Sequence, residues 1–76
     1  MITEFLETII NEVSGMDFKI EQIELGYEPK RLLINEVNNL IYSHWNELTF
    51  FNGIPLKEIE GIEEIGTINF KIKIHR

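Results

Sequence analysis

Two histidines, His44 and His75, are the only imidazoles in the 76-residue chain, and cysteine is absent. A zinc centre takes three or four ligands, usually with His or Cys among them. Two lone histidines do not supply that set, so no metal is expected. His44 falls on or beside the apolar stripe of a helix, where a partly buried, neutral ring is expected. Ser43 stands next to His44, but adjacent residues on a helix do not face each other, so they form no nucleophile–base pair. Ser14 borders a helix stop, and Asp17, the single aspartate, suits a turn. Glu58, Glu60, Glu63 and Glu64 are the densest carboxylates. A general acid needs a raised pKa in a dry pocket, whereas glutamates in a glycine-bounded loop belong in water. No nucleophile, base and orienting group converge, so neither an enzyme nor a cofactor is expected.

The elements that would position these residues are legible from periodicity. Ile2, Phe5, Leu6, Ile9, Ile10 and Val13 recur at helical spacing, which predicts a helix over 2–14. Thr3 is expected to cap it and Gly15 to stop it. Phe18 and Ile20 alternate with polar neighbours, then Ile23 and Leu25 continue in the opposite phase. That slip predicts a strand over 17–25 with a bulge near Glu21-Gln22. Pro29 opens a second helix whose stripe is Leu33, Val37, Leu40, Ile41 and His44, ending near His44. Leu48, Phe50 and Phe51 begin a strand, Asn52-Gly53 signals a turn or bulge, and Pro55 argues against a central strand. Residues 60–66 read as a loop. Ile68, Phe70, Ile72 and Ile74 alternate cleanly as a last strand. The prediction is one α+β domain over 1–76, in the order α-β-α-β-β, with a small, mainly antiparallel sheet and a helix on one face.

Composition narrows the setting. At 43% hydrophobic and 26% charged residues, the chain belongs with folded domains rather than disordered tails. A domain this small buries only about 60% of its unfolded surface. Disulfides and metals often reinforce such cores; without cysteine, association with another chain is the reinforcement left open. Fourteen isoleucines, seven asparagines and no alanine suggest an AT-rich genome. The net charge of −6 resides in residues 1–28. No apolar run nears the roughly 18 residues of a membrane span, and no leader pattern opens the chain, so a cytoplasmic protein is expected.

Two surfaces emerge as candidates for binding. Trp45, Phe50 and Phe51 are typical interface anchors. Phe50 and Phe51 are adjacent, so on a strand they point to opposite faces, and one must leave the core. The first candidate therefore combines Trp45, Phe50, Phe51, Asn52, Gly53, Ile54 and Leu56 with an acidic rim of Glu58 and Glu60, meeting a protein partner or a second copy. The alternative is a nucleic-acid surface of Lys30, Arg31, Lys71, Lys73 and Arg76. Lysines on an edge strand also serve as guards against strand addition. Lys30 and Arg31 oppose the dipole of their helix, which suggests ion pairs with the acidic first helix.

The run "IELG", "YEPKRLLINEVNNL", "FFNGIPLKEIEGI" and "GTINFKI" resembles a β-α-β-β unit of tailed-phage proteins, part of the axial domain of HK97-like capsid proteins. Pro29, Leu33, Gly53, Ile54, Pro55, Gly66 and Ile68 carry the likeness. The chain lacks the long spine helix and extended arm of that fold, and its first helix has no counterpart there. The resemblance implies a small phage or prophage protein acting as a virion component or host-factor binder, and it transfers no site residues.

Overall fold

The computed structural model describes residues 1–41, 44 and 47–74. Helix α1 (Ile2–Ser14) leads through a tight turn into strand β1 (Phe18–Leu25), followed by helix α2 (Tyr27–Ile41). Strands β2 (Phe50–Phe51) and β3 (Ile54–Glu58) form a hairpin. A 3-10 turn at Ile62–Glu64 then precedes strand β4 (Ile68–Ile74). The expected α+β order is present, with the fourth element folded back on itself as the hairpin. The sheet order is β2-β3-β1-β4. Two of its three pairings are antiparallel; β1 and β3 run parallel, and α2 supplies the crossover that parallel neighbours require.

Local chemistry explains most of these elements. The phase slip in β1 is a bulge: Ile20 pairs with Ile72 and Gln22 with Lys71, leaving Glu21 as the extra residue. The bulge keeps Ile20, Ile23 and Leu25 buried on a single face. Asn52 and Gly53, at φ 50° and 78°, make the two-residue turn that matches strand twist, and Phe51 pairs with Ile54 across it. Pro55 lies in β3, an interior strand, without disturbing it. The Leu56 N–H donates to the Thr49 carbonyl, so the Pro55 nitrogen faces β1, where pairing begins only at Leu56.

The first helix covers the expected span and stops with Gly15 as its C-cap, but its start departs from expectation. Thr3 lies inside α1 rather than capping it. The Ile2 and Thr3 N–H groups donate to the Glu36 carboxylate of α2 at 3.0 Å each, and the Thr3 hydroxyl donates to it at 2.9 Å. Gly15 keeps right-handed helical angles, and the chain reverses at Asp17, whose φ is 61°. The second helix ends at Ile41, short of His44, among the described residues.

Leu6, Val13, Ile20, Ile23, Leu25, Leu33 and Phe51 form the buried core between the helices and one sheet face. Full burial of a leucine contributes roughly 1.5–3 kcal/mol, and Leu6, Leu25 and Leu33 are completely enclosed. The opposite sheet face carries Gln22, Glu24, Asn69 and Lys71, as strand alternation from the buried positions requires.

The glutamate-rich segment is the crossover from β3 to β4, and it must pass the end of β1. It does so over Gly26. A Cβ there would lie 1.8 Å from the Glu64 carbonyl oxygen and 2.8 Å from the carbonyl of Ile65. The Gly26 N–H donates to the Thr67 carbonyl at 2.8 Å, and the Glu28 N–H donates to the Ile65 carbonyl at 2.9 Å. The second bond satisfies one of the orphan donors in the first turn of α2.

Candidate interaction surface

The hairpin residues do not form one patch. Phe50 is 57% exposed and pairs with Pro55 on the sheet face away from the helices. Phe51 is buried, which corrects it from a surface to an interior position, while Ile54 and Leu56 are half-buried against the core. The adjacency argument therefore holds, with Phe50 as the outward ring. Asn52 and Gly53 are exposed at the hairpin tip. Glu58 meets Lys30 at 3.8 Å, while Glu60 is exposed in the crossover. Trp45 lies outside the described residues.

The basic residues are also divided. Lys30 and Arg31 belong to α2; Lys71 and Lys73 lie on the opposite sheet face; Arg76 lies outside the described residues. Each of the four described ones has a carboxylate neighbour: besides Lys30 with Glu58, Arg31 meets Glu28 at 3.0 Å, Lys71 meets Glu24 at 3.8 Å and Lys73 meets Glu21 at 3.5 Å. Lys30 and Arg31 thus pair with Glu58 and Glu28 instead of the first helix. The tie from α2 to α1 is Glu36.

Glu36 sits where burial would raise its pKa. Donation from the Thr3 N–H, the Ile2 N–H and the Thr3 hydroxyl outweighs that and holds the carboxyl below its ordinary value. The negative charge also opposes the positive N-terminal end of the α1 dipole. Nothing local in the sequence marks Glu36 for this role.

A concavity of about 620 Å³ lies beside α2. Tyr27, Lys30, Arg31, His44, Glu47 and Glu58 border it. His44 is exposed there and stands outside any helix, correcting the expectation of a partly buried ring. Charges of both signs line the cleft, and Lys30 is held by Glu58, so it presents no single-sign field. Among the described residues, no group of three or more His, Asp or Glu side chains could hold a metal ion. No described helix is long and apolar enough to cross a membrane. His75 and Ser43 lie outside the described residues.

A different surface has continuous apolar character. Strand β4 is a sheet edge among the described residues. The Gly26 N–H bond to Thr67 makes those two a hydrogen-bonded pair, so Asn69 and Lys71 turn their main-chain groups toward β1. By alternation, the N–H and C=O groups of Ile68, Phe70, Ile72 and Ile74 point to the free edge. Their side chains share the helix-side face, opposite Leu25, Ile23, Ile20 and Phe18. Toward the end of the strand this face is uncovered: Ile72 is 50% and Ile74 54% exposed, with Phe18 beside them. At the other end, Ile2, Phe5, Pro29, Leu32, Gly66 and Ile68 line an apolar groove of about 430 Å³. The sequence pattern assigns these isoleucines to a core; only the strand order reveals an open edge.

Compared with known protein families, curated proteins and solved structures, the chain matches none of them.

Proposed function

We propose that this chain is a non-catalytic protein-interaction module, and that its contact surface follows β4 and the neighbouring flank of α1. The observation that carries the reading is the coincidence of a β4 edge unpaired among the described residues with exposed Ile72, Ile74 and Phe5 on one side. An open edge supplies directional hydrogen bonds, and the apolar side chains supply burial. Single exposed apolar residues are ordinary; a continuous strip along an unpaired strand is a recognised association site. Carboxylate neighbours of the basic residues, and their separation on opposite faces, favour this reading over nucleic-acid binding. The β-α-β-β likeness to phage capsid axial domains supports placing its partners among virion components or host factors.

The test uses photo-reactive groups introduced singly at Phe5 and Ile74, with exposed Glu12 as a control position. In an extract of the source cells, the first two should crosslink to protein, self or other, well above the control. Crosslinking no greater than at Glu12 rejects the β4 surface.

A further inference from the structure

We propose that the occupant of the β4 edge is a second copy of this chain, joined by antiparallel β4–β4 pairing about a two-fold axis at Phe70. The inference rests on the reading of β4 as the contact surface and adds the identity of what covers it.

Three observations converge on self-pairing. First, the edge geometry admits it. Phe70, Ile68 and Ile72 all direct main-chain groups outward, so pairing Phe70 with the partner's Phe70 and Ile68 with the partner's Ile72 places outward-facing groups opposite one another. A two-fold interface needs this self-complementarity.

Second, the register reconciles the charges. Centred on Phe70, it sets Lys71 opposite the partner's Asn69 and Lys73 opposite the partner's Thr67. Moving the axis to Lys71 would place two lysines directly opposite, which is unfavourable. Lys71 and Lys73 are also accompanied by Glu24 and Glu21, which weakens their effect as edge guards.

Third, the surface has matching relief. The same register brings the partner's Ile72 to Ile68 and the partner's Ile74 to Gly66. Ile68 and Gly66 border the apolar groove with Phe5, Pro29 and Leu32. The exposed end of one strand therefore reaches the groove at the start of the other, twice by symmetry.

Light scattering of the purified chain across micromolar to millimolar concentration should show the mass rising to twice the monomer and stopping there. Ile72→Pro removes an N–H that faces the free edge while leaving the β1 ladder intact, and should yield a folded monomer by circular dichroism. If that variant unfolds, Ile72→Asp, which keeps the N–H, serves instead and should also be monomeric. The register is read by mixing Asn69→Cys with Lys71→Cys chains and oxidising: the mixed disulfide should predominate several-fold over either symmetric one. A monomer at every concentration overturns the proposal, as does open-ended assembly or a dimer that survives a folded Ile72 variant. A predominant Lys71→Cys symmetric disulfide overturns the Phe70 axis. A monomer that still crosslinks through Phe5 and Ile74 to a different protein overturns self-pairing and leaves the interaction-module reading standing.

Discussion

Replacing Gly26 by alanine probes the tightest crossing in the molecule. The added Cβ would stand 1.8 Å from the Glu64 carbonyl oxygen and 2.8 Å from the Ile65 carbonyl, both main chain. A side chain could swing aside; this backbone must move as a segment. Moving it breaks the bonds from Gly26 N–H to Thr67 and from Glu28 N–H to Ile65. Each is worth about 1 kcal/mol net, and loosening the contacts of the crossover brings the loss to about 3–4 kcal/mol. Alanine restricts the unfolded chain more than glycine and returns up to about 1 kcal/mol. The net loss of about 2–3 kcal/mol is a large part of the roughly 4–11 kcal/mol available to a chain of this length. Because each kcal/mol shifts Tm by about 4–8 °C in small domains, a fall of about 10–20 °C is expected. Thermal and urea unfolding followed by far-ultraviolet circular dichroism measures it. Gly66→Ala, compared in dilute solution where the chain is monomeric, is the control, since a Cβ at Gly66 meets nothing within 4 Å in the single chain. Equal stability of Gly26→Ala and wild type, with Gly66→Ala also unchanged, would refute the crossover geometry.

Glu36→Gln keeps an acceptor but loses the charge at the start of α1, and should cost about 1 kcal/mol at pH 7 in urea unfolding. Since the folded state lowers the Glu36 pKa, its contribution is complete above the unfolded value near about 4.3 and disappears as pH falls through the folded value; the gap between wild type and Glu36→Gln should close in acid. Phe51→Ala should lose about 3–5 kcal/mol by opening a core cavity, whereas Phe50→Ser should stay within about 0.5 kcal/mol of wild type in the same assay. Gly53→Ala, at φ 78° with open space around it, should cost about 1 kcal/mol from backbone strain alone, read as a shift in urea midpoint.

Features encoded over a few residues are legible in the sequence alone. The α1 stripe, the bulge at Glu21, the Asn52-Gly53 turn and the alternation of β4 all follow from short-range periodicity and backbone preference. What escaped depends on distant partners. Thr3 resembles a cap, yet Glu36, 33 residues away, holds the helix start. The acidic charge of α1 suggests it as the partner of Lys30, but the topology brings Glu58 to Lys30; the Arg31–Glu28 pair, local at three residues apart on α2, escaped because of the same acidic helix. The stripe of α2 extends in pattern to His44, although His44 itself stands outside any helix. The same limit applied to the candidate surface. Alternation shows that Ile68 to Ile74 share a face, while strand order alone decides whether that face and edge are covered. Pro55 misled in the reverse sense: its missing donor argued for an edge, but the β1 ladder starts one residue later.

Residue-resolved amide exchange along β4, at low and high protein concentration, tests the central claim most directly. In dilute solution, Asn69 and Lys71 should be protected by β1, while Phe70 and Ile72 exchange freely at the open edge. At high concentration the Phe70 and Ile72 amides should become protected as the second copy pairs with them. Exchange at Phe70 and Ile72 that stays fast at every concentration would contradict self-association, and protection of those amides in the dilute monomer would contradict the open edge itself.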